Sequence, residues 1–296
     1  MVSVIATSSS LTVMKRNRPV SPVEHSQETT ESQYKAKKLK LHASYTADSP
    51  FPTFVRPTAT EAWEVYRLLA QEHPGHAAPR RQPLSGSVAT GNILGNVPNV
   101  IESLISVILS QNTSGSNSGA AKASLDAKFG RNNFSAMARA PSQEVADAIR
   151  QGGLANKKAA VIQKILKEVM EKHGEYTLQH LAATDDQKRM TDDAIMEELM
   201  SYDGVGPKTA SCVLLFCLGR DSFAVDTHVY RLSKVLGWVP DKANRVLAQA
   251  HLDRRVPDEI KYGLHVLMVQ HGRVCKGCKK AGSGEMCVLK VYVGRR

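Results

Sequence analysis

Aromatic residues are scarce in this sequence, making up 5% of its 296 positions, and no stretch sustains an alternation of apolar and polar residues. Leu, Ala and Val supply most of the 42% hydrophobic content instead, a bias toward helices and away from sheets. No uninterrupted apolar run approaches the ~18 residues of a membrane-spanning helix, so no membrane partner is expected. Five cysteines at irregular spacing lack the pattern of a disulfide-stapled secreted domain. No internal repeat recurs at a fixed period, which excludes solenoids and propellers. What remains is a chain long enough to bury a substantial core as one large domain or two small ones.

Charge is plentiful and one-sided. The formal net charge of +11 suits a polyanionic partner, because Lys and Arg gain by displacing counterions from phosphates; the alternative is a basic but indifferent surface. Residues 1–55 are polar, rich in Ser, Thr and Pro and without apolar periodicity, and read as a disordered basic tail before a globular unit over 56–296. Within the tail, Met1 to Val23 has no acidic residue and carries Lys15, Arg16 and Arg18, a faint mitochondrial transit signature. Lys35-Ala36-Lys37-Lys38-Leu39-Lys40 is a compact basic cluster suited to nuclear import, so the nucleus is the expected location and the mitochondrion the alternative. Either segment also reads as a solvated, DNA-attracted tail.

Helical spacing begins near Thr60 with Ala62, Val65, Tyr66, Leu68 and Leu69. Pro74 to Pro98 reads as a loop, and Asn99 to Gln111 as a helix burying Val100, Leu104, Val107 and Ile108 on one face. Further helices are expected at about 117–130, 142–151, 156–173, 192–202, 207–218, 226–236, 241–252 and 257–270. The expected fold is all-α, with two helical lobes flanking a cleft.

Two segments carry chemistry. Gly204-Val205-Gly206-Pro207-Lys208-Thr209-Ala210 follows a helical stretch and opens another, making a helix–hairpin–helix. Glycine allows φ > 0 and keeps no Cβ between backbone and ligand, and Pro207 at the first helical position gives up only an N–H that had no partner. The free N–H groups and macrodipole of such a helix start can hold a phosphate oxygen. Lys208 then sits beside a bound DNA backbone, either as a phosphate contact or, with its amine deprotonated, as a nucleophile toward the sugar C1′. Ala224-Val225-Asp226-Thr227-His228 places a carboxylate where the next helix begins. Asp226 reads either as an N-cap or as a group that takes a proton or steadies an oxocarbenium charge.

These paired segments resemble the helix–hairpin–helix DNA glycosylase superfamily (HhH-GPD), and within it the endonuclease III branch, whose members carry Leu-Pro-Gly-Val-Gly-Arg-Lys-Thr-Ala and then Val-Asp-Thr-His. The interval from Lys208 to Asp226 also matches. The resemblance implies a Schiff-base nucleophile at Lys208, an essential carboxylate at Asp226, and backbone contacts from Gly204, Val205 and Gly206. It also implies double-stranded DNA with damaged or abasic sites as partner, and a monomer. Members with lysine at that position are bifunctional glycosylase/AP lyases. The likeness extends over roughly 99–274 and places the hairpin between a central lobe at about 99–225 and a terminal lobe of 60–98 plus 226–296. Leu104 to Thr113 resembles the family helix ending in the loop that enters DNA, so Gln111, Asn112 and Thr113 are candidate contacts, with Gln111 or Asn112 filling the gap left by an extruded base. Gly153-Leu154-Ala155-Asn156-Lys157-Lys158-Ala159 resembles a second family turn and puts Lys157 or Lys158 near the backbone. Oxidised pyrimidines are the expected substrate. Ser110 to Ser114 and Leu236 to Pro240 resemble the plant 5-methylcytosine glycosylases, leaving 5-methylcytosine or G·T mismatches as alternatives, with a non-catalytic DNA-binding module as a third.

The pattern departs from the family at three places. Asp203 stands where proline is usual, and Gly115 where an aspartate commonly closes the intercalating loop. Many endonuclease III relatives hold a [4Fe–4S] cluster on Cys-x6-Cys-x2-Cys-x5-Cys, whereas Cys275-x2-Cys278-x8-Cys287 supplies three. Cubane clusters need four thiolates, so these cysteines hold an unusual cluster, or zinc with a histidine such as His271, or no metal. Cys212 and Cys217 read as small core residues. No cofactor is required for the lysine chemistry itself.

Overall fold

Every regular element of the computed structural model, among the residues it describes, is helical; these are 48–76, 99–183, 188–279 and 285–295, with isolated positions 33 and 36. The transit-like segment, the basic cluster apart from Ala36, and most of the expected 74–98 loop lie outside the described residues. Helix α1 spans Ala59–Glu72 and starts on a reciprocal capping box, in which Thr58 accepts from Glu61 N and Glu61 accepts from Thr58 N. The described residues include 48–55, ahead of the expected boundary. Phe51 and Phe54 pack edge-on against His251, and Ser49 Oγ meets His251 Nδ1 at 2.7 Å. Two aromatic anchors hold this segment although it has no periodicity.

Helices α2 (Val100–Leu109), α3 (Gly115–Phe129), α4 (Phe134–Arg139), α5 (Ser142–Ala148), α6 (Ala155–His173), α7 (Asp192–Ser201) and α8 (Pro207–Phe216) enclose a first core. All ten residues of α2 are buried, not one face as expected, because α3, α6 and α8 surround it. Its one acidic residue, Glu102, is held by Lys122 at 2.9 Å and Arg131 at 2.8 Å. Burial alone would push this carboxyl up, but those two cations hold it below its ordinary range. The short α4 has no counterpart among the expected helices.

A second core forms from α1 with α9 (Thr227–Val235), α10 (Arg245–Arg255), α11 (Asp258–Val274), α12 (Lys276–Lys279) and α13 (Val288–Gly294). The chain crosses between cores through the non-helical segment 221–225. There the period of an extended chain shows directly: Phe223 and Val225 enter the second core while Ala224 enters the first. Full burial of Phe223 and Val225 contributes about 1.5–3 kcal/mol each relative to exposure. Among the described residues no strand lies beside this backbone, and side chains from α10 and α11 satisfy it instead. Lys261 Nζ donates to Asp221 O at 3.0 Å, Phe223 N donates to Asp253 Oδ1 at 2.5 Å, and Val225 N donates to Gln249 Oε1 at 3.2 Å. His265 Nδ1 lies 2.8 Å from Ala224 O; burial lowers its pKa, favouring the neutral ring that donates there from Nδ1. The backbone just before Asp226 is therefore fixed from both sides.

Candidate active site

The hairpin between α7 and α8 has one position that only glycine fits. Gly204 has φ +80°, and a Cβ there would lie 2.6 Å from Val161 Cγ1 on α6. Val205 points inward, 1% exposed, and its amide donates to Tyr202 O at 3.3 Å. It is the hydrophobic anchor of the turn, packed into the first core. Gly206 caps α8 without a side chain, has open space where its Cβ would be, and is followed by Pro207 at the first helical position. Lys208 is half-buried on that first turn, one turn before the buried Cys212. Burial pushes that thiol up, and the nearby lysine opposes the shift.

Asp226 is the N-cap of α9. Its Oδ1 accepts from His228 N and Val229 N, both at 2.8 Å, and it remains half-buried. Helix α9 lies tight on α11 here: a Cβ on Gly272 would fall 2.7 Å from His228 Cβ. Lys208, from the first core, and Asp226, from the link to the second, border one cavity of about 660 Å³. Its lining includes Gln111, Asn112 and Thr113 from the loop after α2, with Gly206 and Thr209 from α8. Gln111 Nε2 donates to Thr209 Oγ1 at 3.2 Å, tying that loop to the turn carrying Lys208. Asn112 stays exposed at φ +50°, a conformation asparagine tolerates better than most residues.

Four lining residues carried no signal in the motifs: Arg245 and Val246 at the start of α10, Gln249 one turn on, and Arg273 near the end of α11. The two arginines bring positive charge to the rim, where a phosphodiester would pass. Nothing local in the sequence pairs Arg245 with Arg273 across the cleft.

Lys158 does not join this cavity. It is 3% exposed, and its ammonium donates to Leu109 O at 2.8 Å and Gly152 O at 2.7 Å, while Lys157 is exposed. The ammonium serves the carbonyl end of α2 and so holds the Ser110–Thr113 loop from beneath. Burial lowers the pKa of this amine. Lys158→Met is therefore expected to lower stability by about 1–3 kcal/mol through two orphaned carbonyls. Urea unfolding measures the loss, and the salt dependence of DNA binding should not change. A shallower salt slope with unchanged stability would make Lys158 a phosphate contact instead.

Near the end of α11 lies a second group. His271, Cys275, Cys278 and Cys287 place one ligand atom each within 4.8 Å of the others, and all but the half-buried Cys275 are buried. Cys212 is buried in the first core, and Cys217 packs against it half-buried.

Residues 105–258 match the family model described as HhH-GPD superfamily base excision DNA repair protein. The Arabidopsis thaliana protein At3g47830, a DNA glycosylase by name, is 39% identical over 247 residues, covering 78% of this chain and 82% of its own. Endonuclease III of Thermotoga maritima is 32% identical over 174 residues, covering 58% of this chain and 73% of its own. A solved endonuclease III, trapped as a covalent intermediate with DNA, superposes with TM-score 0.58 at 25% identity, covering 81% of this chain and 99% of that one. With more than half its length matched and the same helical architecture, this chain belongs to the HhH-GPD superfamily of base excision DNA repair proteins.

Proposed function

We propose that this DNA glycosylase is bifunctional, excising oxidised pyrimidines through a Schiff base on Lys208 and then nicking the strand by β-elimination. The observation that carries the reading is the meeting of Lys208 and Asp226 on one cavity of about 660 Å³, each held by a different core. Lys208 Nζ, having passed its proton to the Asp226 carboxylate, forms a bond to C1′. The glycosidic C1′–N bond breaks, and the base leaves with the electron pair and acquires a proton. The sugar ring opens to the imine, the C2′ proton is lost, and the C3′–O bond breaks to release the 3′ phosphate. A solved relative trapped in covalent linkage to DNA supports this route.

DNA enters with its backbone on the Gly204–Lys208 turn, and the Arg245 and Arg273 guanidinium groups meet neighbouring phosphates. Asn112, exposed on the loop after α2, fills the space of the extruded base, while Gln111 braces the loop through Thr209. Gln111, Asn112, Thr113, Thr209 and Thr227 contribute amides and hydroxyls to the lining. Such a surface suits a ring bearing extra hydroxyls, and a damaged base that stacks poorly is the least costly to flip. The Lys35–Lys40 cluster supports action in the nucleus.

Borohydride reduction tests the lyase: wild-type protein mixed with an abasic or thymine-glycol duplex should yield a covalent adduct on a denaturing gel. Absence of adduct, with base release still occurring, would make the enzyme monofunctional. Single-turnover excision rates test the substrate. Thymine glycol should react faster than 5-methylcytosine, thymine in G·T and 8-oxoguanine, and any other order overturns the oxidised-pyrimidine assignment.

A further inference from the structure

A [4Fe–4S] cluster, which the fold family implies near the end of α11, does not fit the residues present. A cubane places a body of four irons and four sulfides between its ligands and so holds them far apart, and it takes four thiolates. Here three thiols and one imidazole converge, with all four ligand atoms within 4.8 Å of one another. Cys278 Sγ lies 3.0 Å from Cys287 Sγ and 3.3 Å from His271 Nε2, and Cys287 Sγ lies 3.6 Å from the same nitrogen. That space admits a single ion and nothing larger.

We propose that His271 Nε2 and the thiolates of Cys275, Cys278 and Cys287 form a closed, structural zinc site. With Zn–S near 2.3 Å and Zn–N near 2.0–2.1 Å, a tetrahedral ion sets its ligand atoms about 3.5–3.8 Å apart, inside the range spanned here. Three soft thiolates and an imidazole are the donor set that selects zinc over hard cations. The imidazole is also prepared for the task. His271 Nδ1 lies 2.9 Å from His73 Nε2, so with zinc on Nε2 the remaining N–H of His271 has an acceptor in place. This outer partner is the arrangement that fixes a metal-bound histidine.

The surrounding chain is shaped for a tight knuckle. A Cβ on Gly277, between two of the ligands, would lie 2.7 Å from Glu285 O and 3.1 Å from Cys287 Cβ. Arg231 on α9 donates to Gly272 O at 3.1 Å and to Cys278 O. It brings a positive charge to a set whose net charge with Zn²⁺ would be negative. The ion thereby ties the α11–α13 corner to α1 through His73 and to α9 through Arg231. Arg273, on the cavity rim, lies between the ligands His271 and Cys275 in sequence.

Metal analysis of the full-length protein, purified without added metal or chelator, tests the site independently of any DNA reaction. Expected is about one zinc per chain with neither iron nor acid-labile sulfide. Cobalt substitution should give thiolate-to-cobalt charge transfer with the intense ligand-field bands of a tetrahedral ion. His271→Ala and Cys287→Ser should each lose the metal. Should either variant fail to fold, His73→Gln carries the test: it keeps a polar partner and should weaken zinc about 10–100-fold in chelator competition. Iron with stoichiometric sulfide, protein that retains no metal, or a Cys278–Cys287 disulfide in the mass spectrum would each overturn the assignment.

Discussion

Lys208→Ala should form no borohydride-trapped adduct with an abasic or thymine-glycol duplex, a fall of about 10³-fold or more in trapping rate. The amine is the only atom lost that can form an imine at this position. The backbone around it does not depend on the side chain, because Gly204 sets the turn against Val161 and Val205 anchors it in the first core. Stability should therefore stay within about 0.5 kcal/mol of wild type, as for most substitutions away from a packed feature. Binding to an uncleavable abasic analogue should weaken only modestly, since Gly206, Arg245 and Arg273 remain on the rim. Equal trapping by the variant would move the nucleophile to another amine and undo the mechanism built on this turn.

What could be read in advance divides along a physical line. The hairpin was legible because its determinants are local: a glycine for the left-handed turn, a proline at the first helical position, and a lysine beside it. Asp226 was legible for the same reason, since an Asp-Thr before a periodic apolar stretch announces a helix start. The all-helical architecture followed from period and composition, and bounds were off by only a few residues. At α8, for example, the helix ends at Phe216 and not near 218.

The rest needed three dimensions. Lys157 and Lys158 read as equivalent candidates for a DNA-backbone contact, and which of them is buried depends on where Leu109 O and Gly152 O lie. Gln249, Asp253, Lys261 and His265 secure the backbone before Asp226 from helices that follow it in sequence. Each is an ordinary polar residue on its own helix, and its partner is a main-chain group that no pattern marks. The six residues of α4 span too few turns to show an amphipathic period. The three terminal cysteines were plain, but their meeting with His271 depends on α11 continuing to Val274 and the chain doubling back to Cys287.

Asp226→Asn separates the two roles that one carboxylate holds. As a cap, Oδ1 takes the amides of His228 and Val229, and an asparagine carbonyl can take both in its place. Loss of the negative charge at a helix N-terminus costs about 0.3–1 kcal/mol, so thermal or urea unfolding should move little. Excision is another matter. The amide cannot receive the lysine proton or balance the cationic sugar, and single-turnover excision of thymine glycol should fall about 10²–10⁴-fold. On a preformed abasic site no base has to be expelled and no oxocarbenium charge has to be balanced, so only the proton-transfer share is lost and the borohydride adduct should fall much less. Asp226→Ala should add the lost cap, about 1 kcal/mol, to the same catalytic deficit. The contrast matters because each half can fail alone. If Asp226→Asn excises at the wild-type rate, the residue is a cap and nothing more, and proton transfer must run through another group on the cavity wall. If excision and trapping fall together by the same factor, the carboxylate acts on the amine and not on base departure. The expected split, with excision lost and the abasic adduct largely kept, gives Asp226 its larger share in the breaking of the glycosidic bond, beyond receiving the lysine proton.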